Sequence, residues 1–358
     1  MLDFTSALYL GFRHASSSLP SWESLTAGVP AALKEPPEAH STAQRLASLM
    51  GCAQATLAPS TLHVFWDLFA LLGSEHTSIH VDAAAYPIAR WGTERARARG
   101  VRVQSFPHRD PDALDAQLRA TRRHGRRPIV LADGSCPRCG PLPLPAYSAL
   151  AARSGGCVVI DDTQALGILG QDRGPRSPFG RGGGGSLRWH GLPATNVVIG
   201  ASLAKGLGVP VAVLAGEAEV VTRFAEHAET RVHCSQPSIA AVSSASRALA
   251  LNAAVGDAVR ARLAALIRRF NAGLANLGHT SGNVLLPIQV LDVGGGATAL
   301  HERLGRLGIS AVLHRDPHSR EPVISFLITA RHSHRDIDVA VACLARAMTG
   351  ARTSLGVA

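Results

Sequence analysis

Cysteine, aromatic residues and long apolar runs are all scarce in this sequence. Six cysteines in 358 residues are too few to staple a secreted disulfide scaffold, so reduced thiols are expected. The opening Met1-Leu2-Asp3 is not a basic segment leading into an apolar stretch, so it does not read as a secretory leader. Even the most apolar windows are cut by Arg, His or Asp before they reach the ~20 residues that cross a bilayer. A cytoplasmic protein without a membrane partner is the expectation. Aromatic residues make up 4%, and the excess of 36 Lys+Arg over 26 Asp+Glu is almost entirely scattered arginine. Without aromatic interleaving or a binding module, that charge argues against nucleic acid, and a phosphate-bearing small ligand accounts for it equally well.

What is present suits a large globular unit. Apolar residues make up 46%, with 35 glycines, which excludes disorder and collagen. At roughly 150 residues per domain the length suggests two domains, or one α/β unit with an appendage. Seven short β-rich runs, at 54–57, 78–81, 101–104, 128–131, 157–160, 197–199 and 211–214, alternate with helical patterns such as 111–122 and 145–153. Several runs are apolar at successive positions, as in strands buried on both faces, so a mostly parallel seven-stranded sheet covered by helices is predicted.

Residues 238–277 are Ala, Leu and Arg at helical spacing, read as two helices meeting near Gly256. Strands at 286–290, 309–313 and 323–328, with helices at 298–307 and 334–348, predict a small C-terminal α+β domain. The Gly-, Pro- and Arg-rich stretch 170–191 reads as an irregular loop, since β/α alternation resumes after it. The expected division is an N-terminal segment 1–39 packing with the small domain, a large domain 40–245 and the small domain 246–358.

The chemistry concentrates in two places. Asp161 ends a buried strand, where α/β sheets put their ligands, and Lys205 follows the strand at 197–199 in a turn of small residues. A lysine can form a Schiff base and a buried carboxylate can keep a pyridine nitrogen protonated, the pair that pyridoxal phosphate needs. Taken singly, each residue also fits an ordinary role, Asp161 as a helix N-cap and Lys205 as a surface turn lysine.

Five motifs in order tip the balance. Residues 2–11 (LDFTSALYLG) resemble the opening L-x-F-S-S-N-D-Y-L-G of the α-oxoamine synthases, fold-type-I pyridoxal-phosphate enzymes. Phe106-Pro107-His108-Arg109-Asp110 is similar to F-x-H-N-D, and Asp133-Gly134 followed by 140–145 (GPLPLP) resembles E-G-x-x-S-M-D-G-x-x-x-P-L. Residues 161–170 (DDTQALGILG) look like D-D-A-H-x-x-G-x-x-G, and Ser202-Leu203-Ala204-Lys205 looks like T-x-x-K. The resemblance implies a large cofactor-binding domain and a small C-terminal domain, with Lys205 as the Schiff-base lysine and Asp161 on the pyridinium nitrogen. Asp133 occupies the glutamate position of E-G and is implied as a further cofactor contact. Ser60, Thr61 and Leu62, leading into the helix 62–72, resemble the turn whose N–H groups hold the phosphate, and Ser202 adds a hydroxyl. A homodimer is implied, with Ser235 reaching across to the phosphate of the second copy.

The sequence also departs from that pattern. Tyr86 stands where the family stacks a histidine on the cofactor ring, keeping a flat face but no imidazole. Gln164 replaces the histidine of D-D-A-H; its amide can donate to the phenolic oxygen but carries no charge. Ser325 aligns with the arginine that clamps the amino-acid carboxylate, and Arg331 is a candidate replacement. Cys136-Pro137-Arg138-Cys139 is one CxxC without a second pair, a weak zinc signal, and no metal is expected. The implied activity is decarboxylative condensation of an amino acid with an acyl-CoA thioester. Transamination or decarboxylation of an unusual amine, and a degenerate non-catalytic relative, are the alternatives.

Overall fold

The structure, a computed structural model, describes residues 1–279, 285–316 and 321–352. Its centre is a seven-stranded sheet. In chain order the strands are β1 (Gln54–Ala58), β2 (Thr77–Asp82), β3 (Arg102–Phe106), β4 (Arg127–Asp133), β5 (Cys157–Asp161), β6 (Val197–Ser202) and β7 (Ala212–Gly216). In space they run β1-β7-β6-β5-β4-β2-β3, and only β7 is antiparallel to its neighbours. All seven runs read from the sequence are strands. Ile129 to Leu131 and Val158 to Ile160 are buried throughout, because helices cover both faces of a parallel sheet.

Two helix starts are fixed by side-chain caps. Asp110 accepts from Ala113 N–H at 2.9 Å with Pro111 in the first turn, and Ser238 accepts from Ala241 N–H at 3.1 Å. The stretch 170–191 is irregular as expected, apart from the short helix Ser186–His190.

Beyond the sheet the chain forms a three-stranded antiparallel layer from Ile288–Leu291, Val312–Arg315 and Pro322–Leu327, backed by helices Ala297–Arg306 and His334–Arg352. The N-terminus joins this layer: Leu2 and Asp3 pair in parallel with Ile309 and Ser310, and Phe4 stacks on His332 at 4.4 Å.

The expected break at Gly256 is absent. Ile239–Asn276 is one 38-residue helix that also crosses the anticipated boundary between residues 245 and 246. By length and composition it could cross a membrane, yet Leu263, Leu266, Ile267 and Phe270 are fully buried in the protein core. Gly256 serves a packing purpose. A Cβ there would lie 2.5 Å from Asn252 Oδ1 and 2.9 Å from an Arg260 guanidinium nitrogen. Arg260 is itself buried and donates to Asn252 Oδ1 at 2.7 Å and to the Gly167 carbonyl at 2.9 Å. A lone glycine removes no backbone hydrogen bond, so tertiary packing carries the helix through it.

Gly256→Ala tests this account. On an exposed helix alanine would stabilise by about 1 kcal/mol, whereas here it must displace a buried network, at a cost of about 1–3 kcal/mol. Urea denaturation is expected to show a net loss; a gain of about 1 kcal/mol would contradict the packing role.

Candidate active site

The carboxyl ends of β2, β4 and β5 bring Asp82, Asp133 and Asp161 together on adjacent parallel strands. Facing them is a cavity of about 750 Å³ between this edge and the small antiparallel layer. Its wall includes Thr61, Tyr86, Asp133, Asp161, Gln164, Ser202 and Lys205, seven of the residues singled out from the sequence. Ser325 and His314 contribute from the opposite side.

Lys205 is one of two lysines in the sequence; the other, Lys34, is exposed. Two loops seat Lys205 near Asp161, and they can meet only as glycines. A Cβ on Gly206 would fall 2.3 Å from the Leu166 carbonyl oxygen, and one on Gly167 would fall 3.1 Å from Gly206 Cα. The Lys205 ammonium lies 5.6 Å from the centre of the Tyr86 ring, while the Tyr86 N–H donates to Asp133 at 3.0 Å. Burial lowers the Lys205 pKa, opposed by the charges of Asp161 and Asp133.

The two carboxylates feel the converse. Burial raises Asp161, against hydrogen bonds from Thr163 and the charge of Lys205. Burial and the Asp161 charge hold Asp133 well above the usual carboxylate range. Thr163 is central: its N–H donates to Asp161 at 3.1 Å and its hydroxyl accepts from Ser202 N–H at 3.0 Å. Asp162, the second acid of the pair, points away to Ser186 N–H at 2.9 Å, and burial pushes it up to about 7.

Gln164 has a fixed orientation. The buried Tyr9 hydroxyl, kept protonated by burial, donates to Gln164 Oε1 at 2.7 Å. The amide NH₂ of Gln164 is therefore the group left to donate into the cavity.

Ser60 stands at the N-cap position of the helix Thr61–Leu72 but makes no side-chain capping bond; its hydroxyl meets His63 Nδ1 at 2.8 Å instead. Thr61, at the start of that helix, reaches the cavity wall, whereas Leu62 is partly exposed and outside it. Ser235 is exposed, also outside the cavity, and bridges to Pro30. Arg331 does not replace the missing arginine: it donates to the Gly11 carbonyl at 3.1 Å and reaches Phe12 at 3.5 Å. Ser325 instead meets His314 Nε2 at 2.7 Å. Sequence reading missed Thr163 and His314; Tyr9 lay inside the opening motif, which was the available signal.

These residues fit pyridoxal phosphate: an amine and a carboxylate on one cavity, a flat ring beside the amine, a fixed amide donor, and a helix start for an anion. The sheet order with the small C-terminal layer is the fold of the fold-type-I pyridoxal-phosphate enzymes.

No family model matches the sequence. The chain is 33% identical over 245 residues to 8-amino-7-oxononanoate synthase of Nitrosococcus oceani, covering 67% of this chain and 62% of that protein. To the Alcanivorax borkumensis synthase it is 32% identical over 255 residues, covering 70% and 63%. The match thus spans slightly under two thirds of these curated relatives. Serine palmitoyltransferase of Sphingomonas wittichii superposes with a TM-score of 0.83 at 18% identity, over 98% of this chain and 88% of that one. The 8-amino-7-oxononanoate synthase of Francisella tularensis gives 0.75 at 17%, over 98% and 99%; at such identities the likeness is one of fold. The chain belongs to the α-oxoamine synthase family.

The lysine environment predicts a titration. Because burial outweighs the neighbouring carboxylates, the Lys205 amine loses its proton below 10.5. The pH midpoint of its reductive methylation, read by peptide mass spectrometry, is expected below that value and lower still in Asp161→Asn, which removes a charge that favours the ammonium. A midpoint at or above 10.5 would contradict the burial.

Proposed function

We propose that the protein is a pyridoxal-phosphate-dependent acyltransferase that condenses an amino acid with an acyl-CoA thioester and releases carbon dioxide. The observation that carries this reading is Lys205 sharing one buried cavity with Asp161 in a chain of this family. Lys205 would hold the cofactor's aldehyde carbon, Asp161 its ring nitrogen, Gln164 its phenolic oxygen and Tyr86 a ring face. The start of the helix at Thr61, with Ser60, Leu62 and Ser202, would hold the phosphate, and Asp133 would lie beside the ring. Bound there, the cofactor draws electron density from the substrate's α-carbon.

The chain's own groups supply the rest. An ionised Asp161 keeps the ring nitrogen protonated, and a cation at that position relieves the repulsion between Asp161 and Asp133. Lys205, with its lowered pKa, is the base that moves the proton at the α-carbon. Ile288, Val290 and Leu327 close the far wall of the cavity with apolar surface, limiting water there.

Carboxylate recognition is the weakest element. His314 Nδ1 lies 3.1 Å from the Arg315 carbonyl, an acceptor, so Nδ1 carries the proton and Nε2 accepts from Ser325. The serine hydroxyl has then no second proton to offer. A bidentate guanidinium would add charge-assisted bonds of about 1.5–3 kcal/mol each. We further read the chain as a cytoplasmic homodimer with Ser235 reaching the second copy's phosphate site, and as the three-part division 1–39, 40–245 and 246–358. Light scattering that finds a monomer with cofactor bound would remove the dimer.

Incubation with pyridoxal phosphate and borohydride is expected to add the cofactor's mass to Lys205; labelling confined to Lys34 would overturn the assignment. Product analysis with amino acids and acyl-CoA esters should yield an amino ketone and carbon dioxide only when the thioester is present. Glycine, alanine and serine are expected to bind weakly, with KM falling at least about tenfold in Ser325→Arg and unmoved by Arg331→Ala. Retained labelling of Lys205 would verify that the Ser325→Arg cavity is intact. An unchanged KM in that variant would show that the missing arginine is immaterial.

A further inference from the structure

At the rim of the cavity His108 meets the CxxC segment. One ligand atom from each of His108, Cys136 and Cys139 lies within 4.8 Å of the others. We propose that these three side chains form a zinc site, with the fourth position left to water or to a group entering from the cavity. His108 and Cys136 both line that cavity. The proposal is independent of the cofactor assignment.

Three features argue for a site rather than a chance cluster. First, the imidazole is oriented as a ligand. His108 Nδ1 lies 2.7 Å from Asp82 Oδ1, and Asp82 also accepts from Ala84 N–H at 2.9 Å and from the Tyr147 hydroxyl at 3.3 Å. The ring thus faces the Asp82 carboxylate through Nδ1, so Nε2 is the nitrogen that would take a metal. A histidine held through its other nitrogen by a carboxylate is the usual support of a zinc ligand.

Second, the Cys-Pro-Arg-Cys turn presents both sulfurs to one side. Ser135–Cys136 pairs with Gly140–Pro141 in a two-stranded hairpin, and Cys139 N–H donates to the Cys136 carbonyl at 3.3 Å. Burial pushes the Cys136 thiol up to about 12, and the N–H groups of Arg138 and Cys139, directed at its sulfur, oppose that. A C-x₂-C hairpin plus a distant histidine is a known zinc ligand set.

Third, other contacts hold the turn in place. Arg109 donates to the Cys139 carbonyl at 2.7 Å, and Arg138 pairs with Asp292 at 3.1 Å and with Asp316. Tetrahedral zinc with bonds of about 2.3 Å to sulfur and 2.0 Å to nitrogen needs its ligand atoms about 3.6–3.8 Å apart. The cluster therefore has to tighten by about 1 Å, which side-chain rotation supplies. The sequence spacing alone could not show this, because the histidine arrives from 28 residues before Cys136, at the end of another strand.

The test uses the full chain, without an affinity tag of histidines, purified under reductant from zinc-supplemented medium. After dialysis against metal-free buffer it is expected to keep about one zinc per chain by plasma mass spectrometry. Exchange with Co²⁺ should give thiolate-to-metal charge transfer and the intense visible bands of a tetrahedral ion. Cys136→Ser and Cys139→Ser should abolish that spectrum. Asp82→Asn should weaken zinc binding by about 10–100-fold, and Cys234→Ser should leave it unchanged. Less than about a tenth of a zinc per chain, with a Co²⁺ spectrum no stronger than that of Cys136→Ser, would overturn the site. A Cys136–Cys139 disulfide found under the same reducing conditions would overturn it too.

Discussion

Three carboxylates at the ends of three adjacent strands, Asp82 and Asp161 buried and Asp133 half-buried, set the terms for the rest of the site. Parallel strands deliver Asp82, Asp133 and Asp161 to one edge, where withdrawal from water raises the energy of each charge. The surroundings answer each differently. Asp82 is surrounded by donors and by His108; Asp161 is held by Thr163 and faces Lys205; Asp133 receives one backbone N–H and is driven toward its protonated form. A single lysine serves two of the three, so a further cation near Asp161 would lower the energy of the cluster. The site is in this sense built for a ligand that brings positive charge to a defined point.

Backbone carbonyls and ring contacts tie this edge to the rest of the molecule. Arg260, on the long helix, reaches the Gly167 carbonyl behind the Asp161 loop, and that loop packs against Gly206 behind Lys205. The N-terminal segment spans the molecule in the same way: Phe4 packs on the small layer, and five residues later Tyr9 fixes Gln164. A change at Gly256 or in the first ten residues can therefore alter the cavity without lining it.

Much of the fold was legible because its signals are local. Runs of β-branched and aliphatic residues such as 157–160 have no alternative in a sheet buried on both faces, and punctuation by Gly and Pro fixes their ends. The reading failed where a local signal competes with packing. Gly256 resembles a helix break, but the buried guanidinium of Arg260 gives it another purpose. The stretch 239–276 also satisfies the length and apolarity of a membrane span while lying in the protein core, since both environments select the same residues.

The sequence by itself determined the class of chemistry: Asp161 at a strand end, Lys205 after another strand, and five ordered motifs around them. Which neighbours those residues meet was decided only by tertiary structure, because each decisive contact joins segments far apart in the chain. Tyr9 meets Gln164, Ser325 meets His314 across two antiparallel strands, Arg331 is taken up by the Gly11 carbonyl, and His108 comes to Cys136 and Cys139. Hydrogen-bond direction and ligand geometry depend on distances of a few tenths of an ångström. Such distances are set when the sheet edge, the small layer and the N-terminal segment pack together, not by spacing along the chain.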